Sequence, residues 1–148
     1  NETDIIGLEE LENELNIKQK RKIKLYKKIK RDILSYQFED FTILVGRNSR
    51  ENEEITFSRG NGDDIWMHIK DLPGSHVLIL RENKPVPDSV LSYAANLAGL
   101  YSKSGVGDKV TIDYCEKRFV KKIKKSKPGN VTYINYKSLD VVIKNISS

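Results

Sequence analysis

The densest concentration of chemically capable side chains is the run Asp63-Asp-Ile-Trp-Met-His-Ile-Lys-Asp-Leu-Pro-Gly-Ser-His76, which holds the single tryptophan of the chain and both of its histidines. Read as a strand over 64–69, its alternation sends Asp64, Trp66, His68 and Lys70 to one face and Ile65, Met67 and Ile69 to the other. The second set is a core face. The first places a carboxylate, an indole, an imidazole and an ammonium in one row at spacings of about 7 Å. That mixture suits stacking of an unpaired base with phosphate held nearby. It equally suits an indole that shields the sheet while the histidines bond to backbone. Pro73-Gly74-Ser75 adds a turn whose backbone N–H groups could form an anion nest.

Enzymatic readings of the same run are poorer. Asp64, His68 and His76 could be imagined as metal ligands or hydrolytic groups, but two histidines and one carboxylate without cysteines or a familiar spacing make a thin ligand set. Ser75 and His76 are adjacent, so in extended chain their side chains point apart and cannot form a nucleophile–base pair. No P-loop and no dinucleotide fingerprint is present, and Gly60-Asn-Gly62 is a loop signal only. The expectation is a protein that is no enzyme by itself, with no metal, no cofactor and no small-molecule substrate.

Other candidates are cationic. Gly46-Arg47-Asn48 is a turn that can present Arg47 and Asn48 to a phosphate or a base edge, although a purely structural turn explains it as well. Lys117, Arg118, Lys121, Lys122, Lys124, Lys125 and Lys127 form a block ending in Pro-Gly-Asn130. Interleaved with Val120 and Ile123, they could lie as a loop or ribbon along a phosphate backbone. A solvated surface hairpin is the bland alternative.

Charge is segregated elsewhere too. The chain carries 26 Lys and Arg against 21 Asp and Glu, a net charge of +5. Residues 1–15 hold six acidic residues and no basic one, while residues 17–31 hold nine basic residues and no acidic one. Blocks of this kind suit interaction surfaces for polyanions such as nucleic acid or an acidic membrane surface, and suit a solvated linker and loop equally well. With 32% charged and 38% hydrophobic residues over 148 positions, the composition is that of a globular domain with a charged surface. No apolar run approaches the roughly 18 residues that a membrane span needs. Cys115 stands alone, so no intrachain disulfide can form, and a reducing, cytoplasmic setting is expected. The chain begins Asn-Glu-Thr without Met or a signal peptide, and reads as a piece of a longer protein.

These residues need elements to position them. Leu8, Leu11 and Leu15 predict an amphipathic helix over about 4–15, with Asn16 able to end it; helical spacing then continues or restarts through Ile23, Tyr26, Ile29 and Ile33. From Phe41 the pattern is of strands: 41–45, 55–57, 65–69, 76–80, 109–114, 131–134 and 139–143, the early ones arranged as an antiparallel meander. Between them, Pro85-Val-Pro87 precedes a helix capped by Asp88 or Ser89, with Val90, Ala94, Leu97, Ala98 and Tyr101 on one face. Gly105-Val-Gly107 ends that helix. The fold class is α+β, one main helix on a largely antiparallel sheet. The division expected is 1–35, the end of a coiled-coil arm with a basic linker, and 36–148, the binding domain.

Taken in order, Phe41-Thr-Ile-Leu-Val-Gly-Arg-Asn48, Asp64-Ile-Trp-Met-His-Ile-Lys-Asp-Leu-Pro-Gly-Ser-His76, Ala94-Ala-Asn-Leu-Ala98 with Tyr101-Ser-Lys103, and Val110-Thr-Ile-Asp-Tyr114 through Lys127-Pro-Gly129 resemble the successive blocks of the NFACT RNA-binding domain over roughly 36–143. The bacterial members, similar to RqcH, carry this domain after a coiled-coil region. The resemblance implies binding to stalled large ribosomal subunits carrying peptidyl-tRNA, with rRNA and tRNA as partners, and support of alanyl-tRNA recruitment for template-free tailing. The family's N-terminal tRNA-handling domain is not in this chain, so tailing by the chain alone is not implied. Older labels for such proteins imply a competing reading, a surface adhesin for fibronectin or fibrinogen. By resemblance the RNA-facing surface comprises Arg47, Asn48, Asp64, Trp66, His68, Lys70 and His76, with Gly74 and Ser75 in the same run.

Overall fold

A computed structural model describes residues 16–31 and 33–146; the helix expected over 4–15 lies outside them. The chain divides into two units, one ending at Ile33 and the other beginning at Leu34.

In the first unit, α1 runs Ile17–Arg31. Asn16 stands at the start of this helix. Its Oδ1 accepts the Gln19 N–H at 2.8 Å while Gln19 Oε1 accepts the Asn16 N–H at 3.1 Å, a reciprocal cap on two otherwise unpaired donors.

The second unit begins with β1 (Leu34–Phe38) and β2 (Phe41–Val45), antiparallel across a turn in which Glu39 and Asp40 both have positive φ, 49° and 70°. That is the two-residue hairpin whose twist matches its strands. The chain then forms α2 (Ser49–Ser58), β3 (Ile65–Ile69), β4 (Val77–Leu80), α3 (Asp88–Leu100) and β5 (Lys109–Glu116). A single 3-10 turn (Lys117–Phe119) leads into β6 (Val120–Lys122), β7 (Val131–Tyr133) and β8 (Lys137–Val142). Six strands make one antiparallel sheet in the order β1-β2-β4-β3-β5-β8, and β6-β7 is a separate two-stranded ribbon. The fold is α+β as expected. It is no simple meander, because β2 pairs with β4 and leaves β3 between β4 and β5.

Alternation sorts the sheet into two buried faces. On one, Ile43, Val45, Met67, Ile69, Val77, Ile79 and Ile112 pack against Val90, Ala94, Leu97 and Ala98 of α3. The alanines let the helix lie close to the sheet. On the other, cross-strand pairing lines up Leu44, Leu78, Trp66 and Cys115 in one row, every member of which is buried. α2 lies against β2 and β4 on this sheet and buries Ile55 and Thr56. Val120 of the ribbon is buried as well.

Two expectations are corrected and one strand is added. Ile55-Thr-Phe57 is the last part of α2, not a strand: Asn48 accepts the Glu51 N–H at 2.9 Å as an N-cap, and the helix so started continues through the β-branched pair. α3 takes its cap from the backbone. Pro87 C=O accepts from the N–H groups of Val90 and Leu91, while Asp88 is already helical and Ser89 donates to Glu39. The strand β1 was not expected at all.

Candidate nucleic-acid interface

A cleft of about 460 Å³ opens where α2 begins, and four separated stretches of sequence meet there. Ser49 and Asn52 come from α2, His68 from β3 and His76 from the approach to β4; Asp71-Leu-Pro-Gly74 supplies the turn between those strands, and Ile123, Pro128–Val131 and Tyr133 come from the ribbon. The Gly-Arg-Asn-Ser, Trp-Met-His, Asp-Leu-Pro-Gly-Ser-His and Lys-Pro-Gly-Asn stretches are thus adjacent in space.

Behind the cleft is a buried polar chain. Trp66 Nε1–H donates to Thr56 Oγ1 at 3.1 Å, and that hydroxyl lies 2.7 Å from His76 Nδ1. His76 N–H donates to Asn52 Oδ1 at 3.0 Å, which fixes the Asn52 amide, and Gly46 N–H donates to His76 C=O. The amide sits so close to Gly46 that an added Cβ there would collide with Asn52 Oδ1. Trp66 stacks on His68 with centroids 5.9 Å apart and is covered by the tilted ring of Tyr133 at 4.9 Å. Burial holds His76 neutral, its pKa lowered to about 3 with the His68 ring contributing, against the raising effect of the Gly129 and Asn52 backbone. Burial also lowers His68.

A second network secures the ribbon. Asp113 on β5 is buried and accepts from Tyr133 Oη–H and Ser138 Oγ–H at 2.6 Å each and from Lys70 Nζ at 3.2 Å. Lys70 lies 5.0 Å from the centre of the Tyr136 ring. On the far side of the ribbon, Glu53 of α2 accepts the Gly129 N–H at 3.0 Å and pairs with Lys122. Lys122 and the Gly129 N–H together hold the Glu53 carboxyl below its ordinary range.

The sequence-derived candidates separate into distinct roles. Trp66 has no exposed surface, so it offers no face to a base; the stacking platform expected of it is closed by α2 and Tyr133. Asp64 is buried, its oxygens accepting the N–H groups of Asn61 and Arg81, so it pins two loops instead of lining the cleft. Ser75 is buried and donates to Tyr101 C=O, and Gly74 bridges to Ser102, so the expected anion nest is tied into the fold. Arg47 pairs with Glu51 through two nitrogens, and Asn48 is the α2 cap. His68 and Gly74 line the cleft, as does the buried His76. Lys117 and Arg118 are anchored through their backbone N–H groups to Asp64 and Gly62. Among the described residues Lys121, Lys124, Lys125 and Lys127 are exposed and without an acidic partner, whereas Lys122 has Glu53.

Sequence reasoning missed Asn52, Thr56, Glu53, Asp113 and Tyr133. The Asn48-x-x-Glu51 spacing carried the signal for α2; nothing local marked the partners of Asp113. Among the described residues no three His, Cys, Asp or Glu side chains gather as a metal site. The Cys115 thiol is buried and pushed up to about 11 by that burial, which disfavours the thiolate near neutral pH. Nor is any described helix long and apolar enough to cross a membrane. What the surface offers is a cleft lined, among the described residues, by no lysine or arginine, beside a ribbon that carries exposed lysines.

Comparison with known proteins gives a consistent assignment. The Rqc2 homolog RqcH of Bacillus subtilis is 47% identical over 92 residues, covering 62% of this chain and 16% of that protein. The Rqc2 homolog RqcH of Streptococcus pneumoniae is 38% identical over 125 residues, 84% of this chain and 22% of that protein. The chain therefore spans about a fifth or less of these relatives. A solved structure of the C-terminal part of the fibronectin/fibrinogen-binding protein from Streptococcus suis superimposes with a TM-score of 0.71 at 38% identity, covering 76% of this chain and 46% of that one. Residues 30–135 match the family described as the NFACT protein RNA binding domain, and the chain belongs to that family.

Proposed function

We propose that this chain is the RNA-contacting module of a cytoplasmic ribosome-associated quality-control factor and acts by non-covalent binding. The observation that carries the proposal is the ribbon: Lys121, Lys124, Lys125 and Lys127 stand exposed, without acidic partners among the described residues, on a short hairpin. Such a ribbon can track a phosphate backbone, with each neutralised phosphate releasing counterions. Family membership and the relatives' names support the direction. In the longer protein, the module would contact rRNA or tRNA on large subunits that carry peptidyl-tRNA and support alanyl-tRNA recruitment for tailing. No metal, cofactor, membrane or small-molecule substrate enters this scheme.

The test is crosslinking of the full-length protein in cells, followed by sequencing of the attached RNA. Enrichment of large-subunit rRNA and of alanine tRNA is the expected outcome. Reads distributed as in an uncrosslinked control would contradict it.

A further inference from the structure

We infer that the cleft between α2, the 71–74 turn and the ribbon takes one unstacked nucleobase of an RNA whose phosphates lie along the ribbon lysines. This rests on the RNA-binding reading above and assigns its base-contacting site.

Size and chemistry point to a base and not to a phosphate. A volume of about 460 Å³ lies in the range of small-ligand sites. Among the described residues its lining contains no Lys or Arg, and its one charged member is the acidic Asp71. Neither histidine there offers a compensating charge near neutral pH, since burial favours the neutral ring in both. An anion would enter an uncompensated site beside a carboxylate, whereas an uncharged heterocycle meets no such cost. Leu72, Ile123, Pro73 and Pro128 supply apolar walls, and the His68 and Tyr133 rings supply flat ones.

The polar group that would read the base edge is Asn52. Because its Oδ1 accepts the His76 N–H at 3.0 Å, its Nδ2 is a fixed donor, with no partner among the described residues. A fixed donor favours a base edge that presents a carbonyl oxygen or a ring nitrogen. Phosphates flanking an extruded base need cations close by, and the same ribbon that supplies Ile123 and Tyr133 to the cleft carries Lys121, Lys124, Lys125 and Lys127. Trp66, the aromatic residue that the sequence suggests for stacking, then has a different part: it supports the floor through its stack on His68.

The experiment uses the 148-residue chain with two RNA probes of equal length, a stem with a single-stranded loop and a fully paired duplex. Two cleft variants are compared with wild type. His68→Ala removes a wall, and Ser49→Trp fills the cleft from an exposed position at the start of α2. Both should weaken binding to the looped RNA roughly tenfold, the scale of removing one stacking partner, and leave duplex binding and the salt dependence unchanged. Unaltered binding of the looped RNA by Ser49→Trp, or equal weakening on both probes, would overturn the base site while leaving RNA binding in place. If wild type binds neither probe, the RNA-binding reading itself fails and the base site with it.

Discussion

The indole N–H of Trp66 donates to the hydroxyl of Thr56, and this one bond joins the central strand to a helix residue that lies ten positions earlier in sequence. With no exposed surface, Trp66 is part of the fold's second buried layer. Trp66→Ala is therefore expected to destabilise the domain by about 3–5 kcal/mol, the range for emptying a large aromatic site. Chemical denaturation of Trp66→Ala beside Ile69→Ala checks this; the two should be comparably damaging.

Acid should weaken the fold before its carboxylates titrate. His76 has a folded pKa of about 3 against an ordinary 6.5, so its stabilising contribution is present above pH 6.5. It diminishes progressively as pH falls from 6.5 toward 3, because the unfolded chain takes up the proton first. Between pH 7 and pH 5 the loss should be roughly 2 kcal/mol from this group, with His68 acting in the same direction. Denaturant titrations at pH 7, 6 and 5 measure it, and His76→Gln should flatten the trend over that window. A stability that rises on going to pH 5 would be the opposite result.

Asp113 is the acceptor on which the ribbon's Tyr133 depends. Asp113→Ala leaves Tyr133 Oη and Ser138 Oγ without their acceptor and Lys70 without its carboxylate. A cost of about 1–3 kcal/mol is expected for leaving the part-buried Tyr133 hydroxyl without its acceptor, since the Lys70 ammonium stays accessible to solvent. Hydrogen exchange should locate the effect, with the β7 amides of Val131–Tyr133 losing protection before those of β2 and β4.

Gly46 has no room for a side chain: its Cβ would collide with the Asn52 amide oxygen and come within 2.9 Å of the Asn52 backbone. Gly46→Ala must push α2 away from β2, at a cost of roughly 1–3 kcal/mol. Since Asn52 lines the cleft, binding of looped RNA should fall with it. Thermal unfolding and RNA titration of this one variant check both effects.

Much of the architecture was legible in local pattern. The alternation of 65–69 correctly separated Met67 and Ile69 from Trp66 and His68, and the small-residue face of 90–101 identified the packing helix. What alternation does not reveal is whether a face is covered, and by what. The cover on Trp66 includes Tyr133, 67 positions away in sequence, so a row of mixed polarity read as an open surface when it is a second buried layer. The strand β1 has a legible pattern as well: Leu34, Tyr36 and Phe38 alternate with Ser35 and Gln37 ahead of Glu-Asp. α2 was misassigned because the β-branched Ile55-Thr56 outweighed the Asn48-x-x-Glu51 cap and the Glu-rich turn that follow Gly46. The cleft is assembled from four separated stretches, and no local signal could have placed Asn52 beside Gly129.

The central claim is that ribbon lysines hold RNA phosphates, and a salt titration tests it most directly. Affinity of the chain for a structured RNA should be measured from about 50 to 200 mM salt for wild type and for a variant in which Lys121, Lys124, Lys125 and Lys127 are all changed to Glu. Lys122 is left intact because its Glu53 pair supports the ribbon. Wild-type affinity should fall steeply with salt. The variant should bind far more weakly, with a slope of log affinity against log salt that is shallower by about 0.7–0.9 for each phosphate it no longer neutralises. Wild-type affinity independent of salt, or a variant that keeps the wild-type slope, would contradict the account.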